Sequence, residues 1–186
     1  MARRDMTRKL PAWIADGIGH MELTRGGVAL CDEADFEMLA QHQWAMQPSG
    51  TGRVKYAVRT THANGRRLHL RMHRVLAGLE VGDPRQVDHK NHDGLDNRRV
   101  NLRVCEAGEN NCNTRKAPGL TSRYKGVTGI TRYGYQQWVV KIERARRRHY
   151  LGVFTDEIEA ARAYDEAAKQ LHGEFAILNF PQERAA

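Results

Sequence analysis

The chain has 186 residues, enough for one domain of ordinary size or two small modules, since a hydrophobic core organises roughly 100 to 200 residues. Thirty Lys and Arg against 22 Asp and Glu leave a formal charge of +8, which draws the molecule toward a polyanion, either nucleic acid or an anionic membrane surface. No stretch approaches the roughly 18 consecutive apolar residues of a membrane span, and "MARRDMTRKLPAWIADGIGH" lacks the apolar segment of a secretory signal, so a cytoplasmic location is expected. Cys31, Cys105 and Cys112 are odd in number and form no C-x2-C pair, which argues against a disulfide framework and against a zinc knuckle built on paired thiolates.

Residues 1–19 read as a basic N-terminal segment. From Met21 to Leu30, "MELTRGGVAL" predicts two short strands about a Gly-Gly turn, and "DEADFEMLAQHQW" predicts a short helix with an acidic start and core contacts at Phe36, Leu39 and Trp44. The extended runs "RVKYAVRTTH" and "RRLHLRMH" flank Asn64-Gly65, a pair suited to the positive φ angles of a tight hairpin. In the second run Leu68, Leu70 and Met72 alternate with Arg67, His69, Arg71 and His73, so one face is predicted buried and the other basic, able to meet phosphate. The stretch "NTRKAPGLTSR" mixes Pro, Gly, Ser, Thr and basic residues without apolar periodicity and reads as a linker, placed at 114–121.

Beyond it "YKGVTGI", "YQQWVVKIE" and "RRHYLGVF" predict a three-stranded antiparallel sheet. Thr155 is the expected cap of a helix whose first turn carries Asp156, Glu157 and Glu159 and which stops near Gly173. Ile158, Ala161, Tyr164, Ala168 and Leu171 recur along it at helical spacing and are expected to face the sheet. The opposite sheet face is then free for a partner. From Arg115 to Tyr150 the only acidic residue is Glu143, against Arg115, Lys116, Arg123, Lys125, Arg132, Lys141, Arg144, Arg146, Arg147 and Arg148. A scattered charge run is ordinarily a solvated surface; cations set on strands backed by a helix instead suit entry into a DNA groove.

The motifs "YKGVTGI", "WVVKI" and "YLGVFTDEIEAARAYDEAAKQLHGEFAILNF" resemble the apetala/ethylene-response-factor DNA-binding domain over nearly all of Ser122 to Pro181. In that family the sheet reads the major groove of double-stranded DNA. Carried over by position, Lys125, Thr128, Lys141, Glu143, Arg148 and Tyr150 would be contact residues, with Arg132 in the intervening hairpin. Several arginines and one tryptophan of the plant pattern are absent, and the hairpin is longer, so the target sequence is not inherited.

The segment "VDHKNHDGLDNRRVNLRVCEAGENN" poses a different question. Hydrolysis of a phosphodiester needs a base on the entering side and charge neutralisation at the leaving oxygen. Asp88 and His89 are neighbours at a predicted strand end, where successive side chains point to opposite faces, so one is placed to hold a metal while the other activates water. Each has a structural alternative: Asp88 and Asp96 as turn caps, Asn97 and Asn101 in Asx-turns, His92 as an exposed loop residue.

The segment resembles the HNH nuclease motif of phage and intron homing endonucleases, over roughly Glu22 to Arg115. That similarity implies an α+β chain: a ββα-metal HNH nuclease domain over 20–113, followed by the three-stranded antiparallel sheet packed on one α-helix over 122–182. It further implies that Asp88 and Asn110 would ligate one divalent ion, that His89 would be the general base, and that Asn101 would brace the loop orienting His89. Asn111 or Asn113 could replace Asn110. Oxygen ligands suit Mg²⁺ or Mn²⁺. His73, in "MHR", would touch the scissile phosphate or metal-bound water, or else cap the following helix. Arg98, Arg99 and Arg103 would contact backbone phosphates or stay solvated.

The combined expectation is a monomeric DNA endonuclease of the homing type, acting in a bacterial or phage-infected cell with no membrane partner and no small-molecule cofactor. The alternative is a non-catalytic DNA-binding regulatory protein that keeps the same fold as a phosphate grip.

Overall fold

A computed structural model describes residues 9–63, 65–106, 108–109 and 121–181. The chain divides into two units, Met1–Cys105 and Glu106–Ala186. The expected linker at 114–121 falls almost wholly outside the described residues.

In the first unit β1 (Ala12–Ala15) and β2 (Ile18–Glu22) pair about Asp16-Gly17, whose φ angles of +51° and +73° are those a two-residue primed turn requires. The residues read from sequence as a basic N-terminal segment therefore include a strand of the first sheet. β3 (Val28–Asp32) follows the Gly26-Gly27 turn and pairs with β2, giving the order β1-β2-β3. The helix α1 (Glu33–Ala40) ends before Trp44, which is fully buried and donates its indole N–H to the Leu39 carbonyl at 2.9 Å.

A second sheet has the order β4-β5-β6, formed by β4 (Ala45–Pro48), β5 (Lys55–Ala63) and β6 (Arg66–Arg71). The core joins Met21, Ala29, Cys31, Leu39, Trp44, Ala57, Met72 and Leu76, with Phe36 packed at its margin. The predicted alternation along "RLHLRMH" holds as far as Arg71. There the strand gives way to the short helix α2 (Met72–Leu76), and His73 turns inward instead of joining the basic face.

β7 (Gln86–His89) and β8 (Leu102–Cys105) form a two-stranded antiparallel hairpin. Of the region expected to complete a ββα-metal unit, only residues 108–109 are described, and they are helical; residues 107 and 110–120 lie outside the described residues. What the described chain forms is an α+β unit of small antiparallel sheets with two short helices.

The second unit has the sheet order β11-β10-β9, from β9 (Val127–Arg132), β10 (Tyr135–Arg144) and β11 (Arg147–Phe154). Its helix α3 (Glu157–His172) lays Ala160, Ala161, Tyr164 and Ala168 against Val127, Val140 and Ile142; the small alanines let helix and sheet approach closely. The cap is Asp156, one residue beyond the expected Thr155: its carboxylate accepts the backbone N–H groups of Ile158 and Glu159, both at 2.8 Å. A carboxylate serves this position better than a hydroxyl because it also meets the positive end of the helix dipole. Ile158, expected in the core, is 43% exposed because it sits in the first turn, before the helix reaches the sheet. Gly173 ends the helix as predicted, with φ +54°.

Candidate nucleic-acid interface

The register of the β7–β8 hairpin sets Asp88 opposite Arg103. Two guanidinium N–H groups of Arg103 meet one oxygen of Asp88, at 2.8 and 2.6 Å, with side chains only 10% and 7% exposed. His89 points into a different cluster. Its ring lies 4.9 Å from His73, nearly perpendicular to it, and 6.0 Å from Tyr56, while its Nε2 is 3.4 Å from Asn97 Oδ1. The Arg71 guanidinium covers the other side of Tyr56 at 5.0 Å. Burial pushes His73 down to about 3, reinforced by the neighbouring His89, Arg71 and Arg74; His89 is lowered too, chiefly by burial. Both rings are therefore neutral at pH 7, and the buried Nδ1 of His73 has no hydrogen-bond partner.

The asparagine- and aspartate-rich stretch between the two strands is a stitched polar loop. Asn101 accepts the Asn91 backbone N–H at 3.0 Å and donates to the Asp96 carbonyl at 2.7 Å, while Lys90 donates its N–H to the Asn101 carbonyl. Asn97 is wholly buried and donates to the Leu95 carbonyl, and its backbone N–H reaches Leu30 of β3. Buried amides must find partners, and here they find the loop's own backbone.

The three arginines expected to contact phosphate in this unit are each held by a carboxylate. Arg98 forks onto Asp96 at 2.8 Å through both contacts, Arg99 onto Asp35 at 2.8 and 2.7 Å, and Arg103 onto Asp88. The Arg98 guanidinium, more than any other neighbour, draws Asp96 below the usual carboxylate range. Only Arg103 is buried in its pair; the Arg99 side chain is 62% exposed. Among the described residues no three His, Cys, Asp or Glu side chains gather as a group able to hold a metal ion, and Asn110, the expected second ligand, lies outside them.

The second unit presents a different surface. Cross-strand partners point to the same side of a sheet, and the register pairs Thr128 with Val139, Arg132 with Tyr135, Lys141 with Tyr150 and Glu143 with Arg148. Together with strand alternation this sets Thr128, Arg132, Lys141, Glu143, Arg148 and Tyr150 on the one face that α3 does not cover. Lys125 precedes β9; its backbone N–H goes to Asn179 Oδ1 at 2.7 Å, so the L-N-F closure of the unit positions it.

The face is only weakly self-neutralised. Arg148 and Glu143 meet at 3.5 Å with 78% and 56% of their side chains exposed, a pair worth at most ~1 kcal/mol. Arg144 lies directly opposite Arg147, but alternation along β10 and β11 puts this pair on the other side of the sheet from Glu143 and Arg148. Sequence reasoning missed Tyr135, which is 74% exposed and shares this face with Arg132, and Val153, paired with Val139. Their positions at the ends of predicted strands, in alternation with the half-buried Trp138 and Phe154, were the available signal.

No protein-family profile matches the chain. Among curated proteins it is 46% identical over 65 residues to dehydration-responsive element-binding protein 2E of Oryza sativa subsp. japonica, covering 34% of this chain and 20% of that protein. It is 43% identical over 60 residues to dehydration-responsive element-binding protein 2A of Arabidopsis thaliana, covering 31% and 18%, and 41% identical over 68 residues to ethylene-responsive transcription factor ERF084 of the same plant, covering 36% and 25%. The chain thus spans a quarter or less of the length of these relatives. The matches span 60 to 68 residues, about the length of the segment from Ser122 to Pro181, and they support the apetala/ethylene-response-factor part of the resemblance.

These relatives overturn the endonuclease expectation. They are named for element binding and transcription, none for nuclease or hydrolase activity, and nothing supports a homing nuclease. Asp88, the carboxylate expected to ligate metal, is instead engaged by Arg103. The metal-dependent phosphodiester hydrolase is withdrawn. The relatives are plant proteins, which also removes the ground for a bacterial or phage-infected cell; no described helix is long and apolar enough to cross a membrane.

Proposed function

We propose that the chain is a non-catalytic DNA-binding regulatory protein that grips duplex DNA with the uncovered face of the β9–β10–β11 sheet. The observation that carries this reading is the gathering of Arg132, Lys141, Arg148 and Tyr150 on one face whose reverse side is sealed by α3. A major groove about 12 Å wide admits β strands, and its base edges offer O6 and N7 of guanine to Arg and Lys, N4 of cytosine to a carboxylate such as Glu143, and the thymine methyl to an apolar contact such as Val153. Arg146, in the turn between β10 and β11, supplies charge for a flanking phosphate. The element recognised by the relatives enters only as a class of ligand, because the contact residues differ.

The test is a gel-shift titration of the full chain on a random duplex pool, with Lys141→Gln/Arg148→Gln beside it. Each lost base contact is expected to cost ~1–3 kcal/mol, so the double variant binds selected sites at least about 10-fold more weakly. Equal binding by the variant overturns the sheet interface. Nicking or linearisation of supercoiled plasmid by purified protein with Mg²⁺ overturns the non-catalytic reading.

A further inference from the structure

β4 pairs with β5 only from Ala45 opposite Val58 to Pro48 opposite Lys55, whereas β5 and β6 stay paired from Val58–Arg71 out to Ala63–Arg66. Residues 59–63 and 66–70 therefore continue as a two-stranded ribbon beyond the reach of the third strand. At 3.2–3.4 Å per residue, the arm extends roughly 16 Å.

One face of this ribbon is defined by its register: Thr60 opposite His69, His62 opposite Arg67, and Arg71 toward the base. The 3.5 Å approach of Thr60 Oγ1 to His69 Nδ1 places both on that side. All five are exposed, as is Arg66 at the tip. No acidic residue occurs between Met38 and Leu79, so nothing local neutralises the arm.

Four arginines elsewhere in the unit are engaged differently. Arg85, Arg98, Arg99 and Arg103 each meet an aspartate at 2.6–2.8 Å, and among the described residues no ion pair involves Arg66, Arg67 or Arg71. Like charges crowded on a narrow ribbon repel one another, and a polyanion removes that repulsion.

We infer that the β5–β6 arm is a second DNA contact, independent of the C-terminal sheet, in which Arg66, Arg67 and Arg71 neutralise phosphates of a duplex whose groove admits the ribbon. The choice of DNA over other polyanions rests on the sheet reading given above; the contact itself does not. A ribbon of this width fits the major groove, and side chains on its exposed face reach the flanking backbone.

Counterion release makes the test quantitative: each phosphate neutralised adds about 0.9 to the slope of log affinity against log salt. Arg66→Gln/Arg67→Gln is preferred to a change at Arg71, whose stacking on Tyr56 would mix packing with charge. Its slope on a fixed duplex should fall by about 1.8, so that between 50 and 200 mM salt it loses about 12-fold less affinity than the parent. Arg25→Gln/Lys169→Gln, which removes the same charge elsewhere, should leave the slope near the parent value. Matching thermal unfolding of parent and variant establishes that the arm change leaves the fold intact.

Equal slopes for parent and arm variant overturn the inference, as does an equal drop in both charge-matched variants. Retained duplex binding, together with loss of binding to phosphatidylserine vesicles in the arm variant alone, assigns the arm to membrane and also overturns it. Running Lys141→Gln/Arg148→Gln in parallel separates the two readings: if it binds as the parent does while the arm variant loses slope, the sheet interface fails and the arm contact stands.

Discussion

Replacing Asp88 by Asn tests whether this carboxylate is a structural partner or a group held in readiness for a ligand. Asp88 takes two guanidinium N–H groups of Arg103 on one oxygen, and both side chains are at least nine-tenths buried. The amide removes the negative charge, keeps one carbonyl acceptor, and leaves a buried guanidinium without its counter-charge. Breaking a buried pair from one side costs ~3–5 kcal/mol; the surviving hydrogen bond places Asp88→Asn at about 3. With a urea dependence of ~1–3 kcal/mol per molar, the midpoint should fall by about 1–3 M. The measurement is urea unfolding at pH 7 in EDTA, followed by amide NMR signals of the first unit, so that the second unit does not obscure the transition. Adding Arg103→Met should recover much of the loss, because the stranded charge is then gone. A ligand-binding carboxylate stripped of its ligand would behave oppositely: its neutralisation would be harmless. Asp88→Asn within ~0.5 kcal/mol of the parent would therefore refute the structural assignment.

Acidification should weaken the first unit through His73. Its folded value of about 3 lies below the ordinary 6.5, so the unfolded chain binds the proton more readily; the contribution is complete above pH 6.5 and is lost as pH falls toward 3. From those two values the unit loses about 2 kcal/mol between pH 7.5 and pH 5 from His73 alone, and His73→Gln should show a slope shallower by nearly one proton in the same NMR-monitored titration. Asp96, whose value is lowered, adds a separate loss only below about pH 4, outside that window. Gly126→Ala should unfold the second unit: φ is +77°, and a Cβ there would run into the Tyr164 ring and come within 2.9 Å of the Lys141 carbonyl. The strain exceeds about 3 kcal/mol, a large part of what a domain of roughly 60 residues possesses, and circular dichroism should report loss of its sheet signal.

Local signals in the sequence were sufficient for most elements of both units. Alternation marked β6, the Asn64-Gly65 turn marked the β5–β6 hairpin, runs of Val, Ile and aromatic residues marked the strands of the second sheet, helical spacing marked α3, and Gly173 marked its end, because these depend on a few neighbouring residues. The β1 strand was missed, because residues 1–19 read as a basic N-terminal segment although Ala12–Ala15 pair with Ile18–Met21. The six sheet positions carried over from the family also fell on one face, since strand parity alone fixes which side a residue takes once register is set.

What the sequence left undecided was the fate of charges and of polar side chains whose partners are distant. Arg98, Arg99 and Arg103 look no different in the sequence from Arg66 and Arg67. Only the folded chain brings Asp35 to Arg99 across 64 positions and sets Asp88 against Arg103, whereas among the described residues no ion pair involves Arg66 or Arg67. His73 followed the alternation on paper and left it in three dimensions, because the strand ended at Arg71 and the chain turned inward. Composition determines how much charge a protein carries; which of it remains available to a partner is settled by long-range contacts, since a Coulomb interaction depends on distance in space and not along the chain.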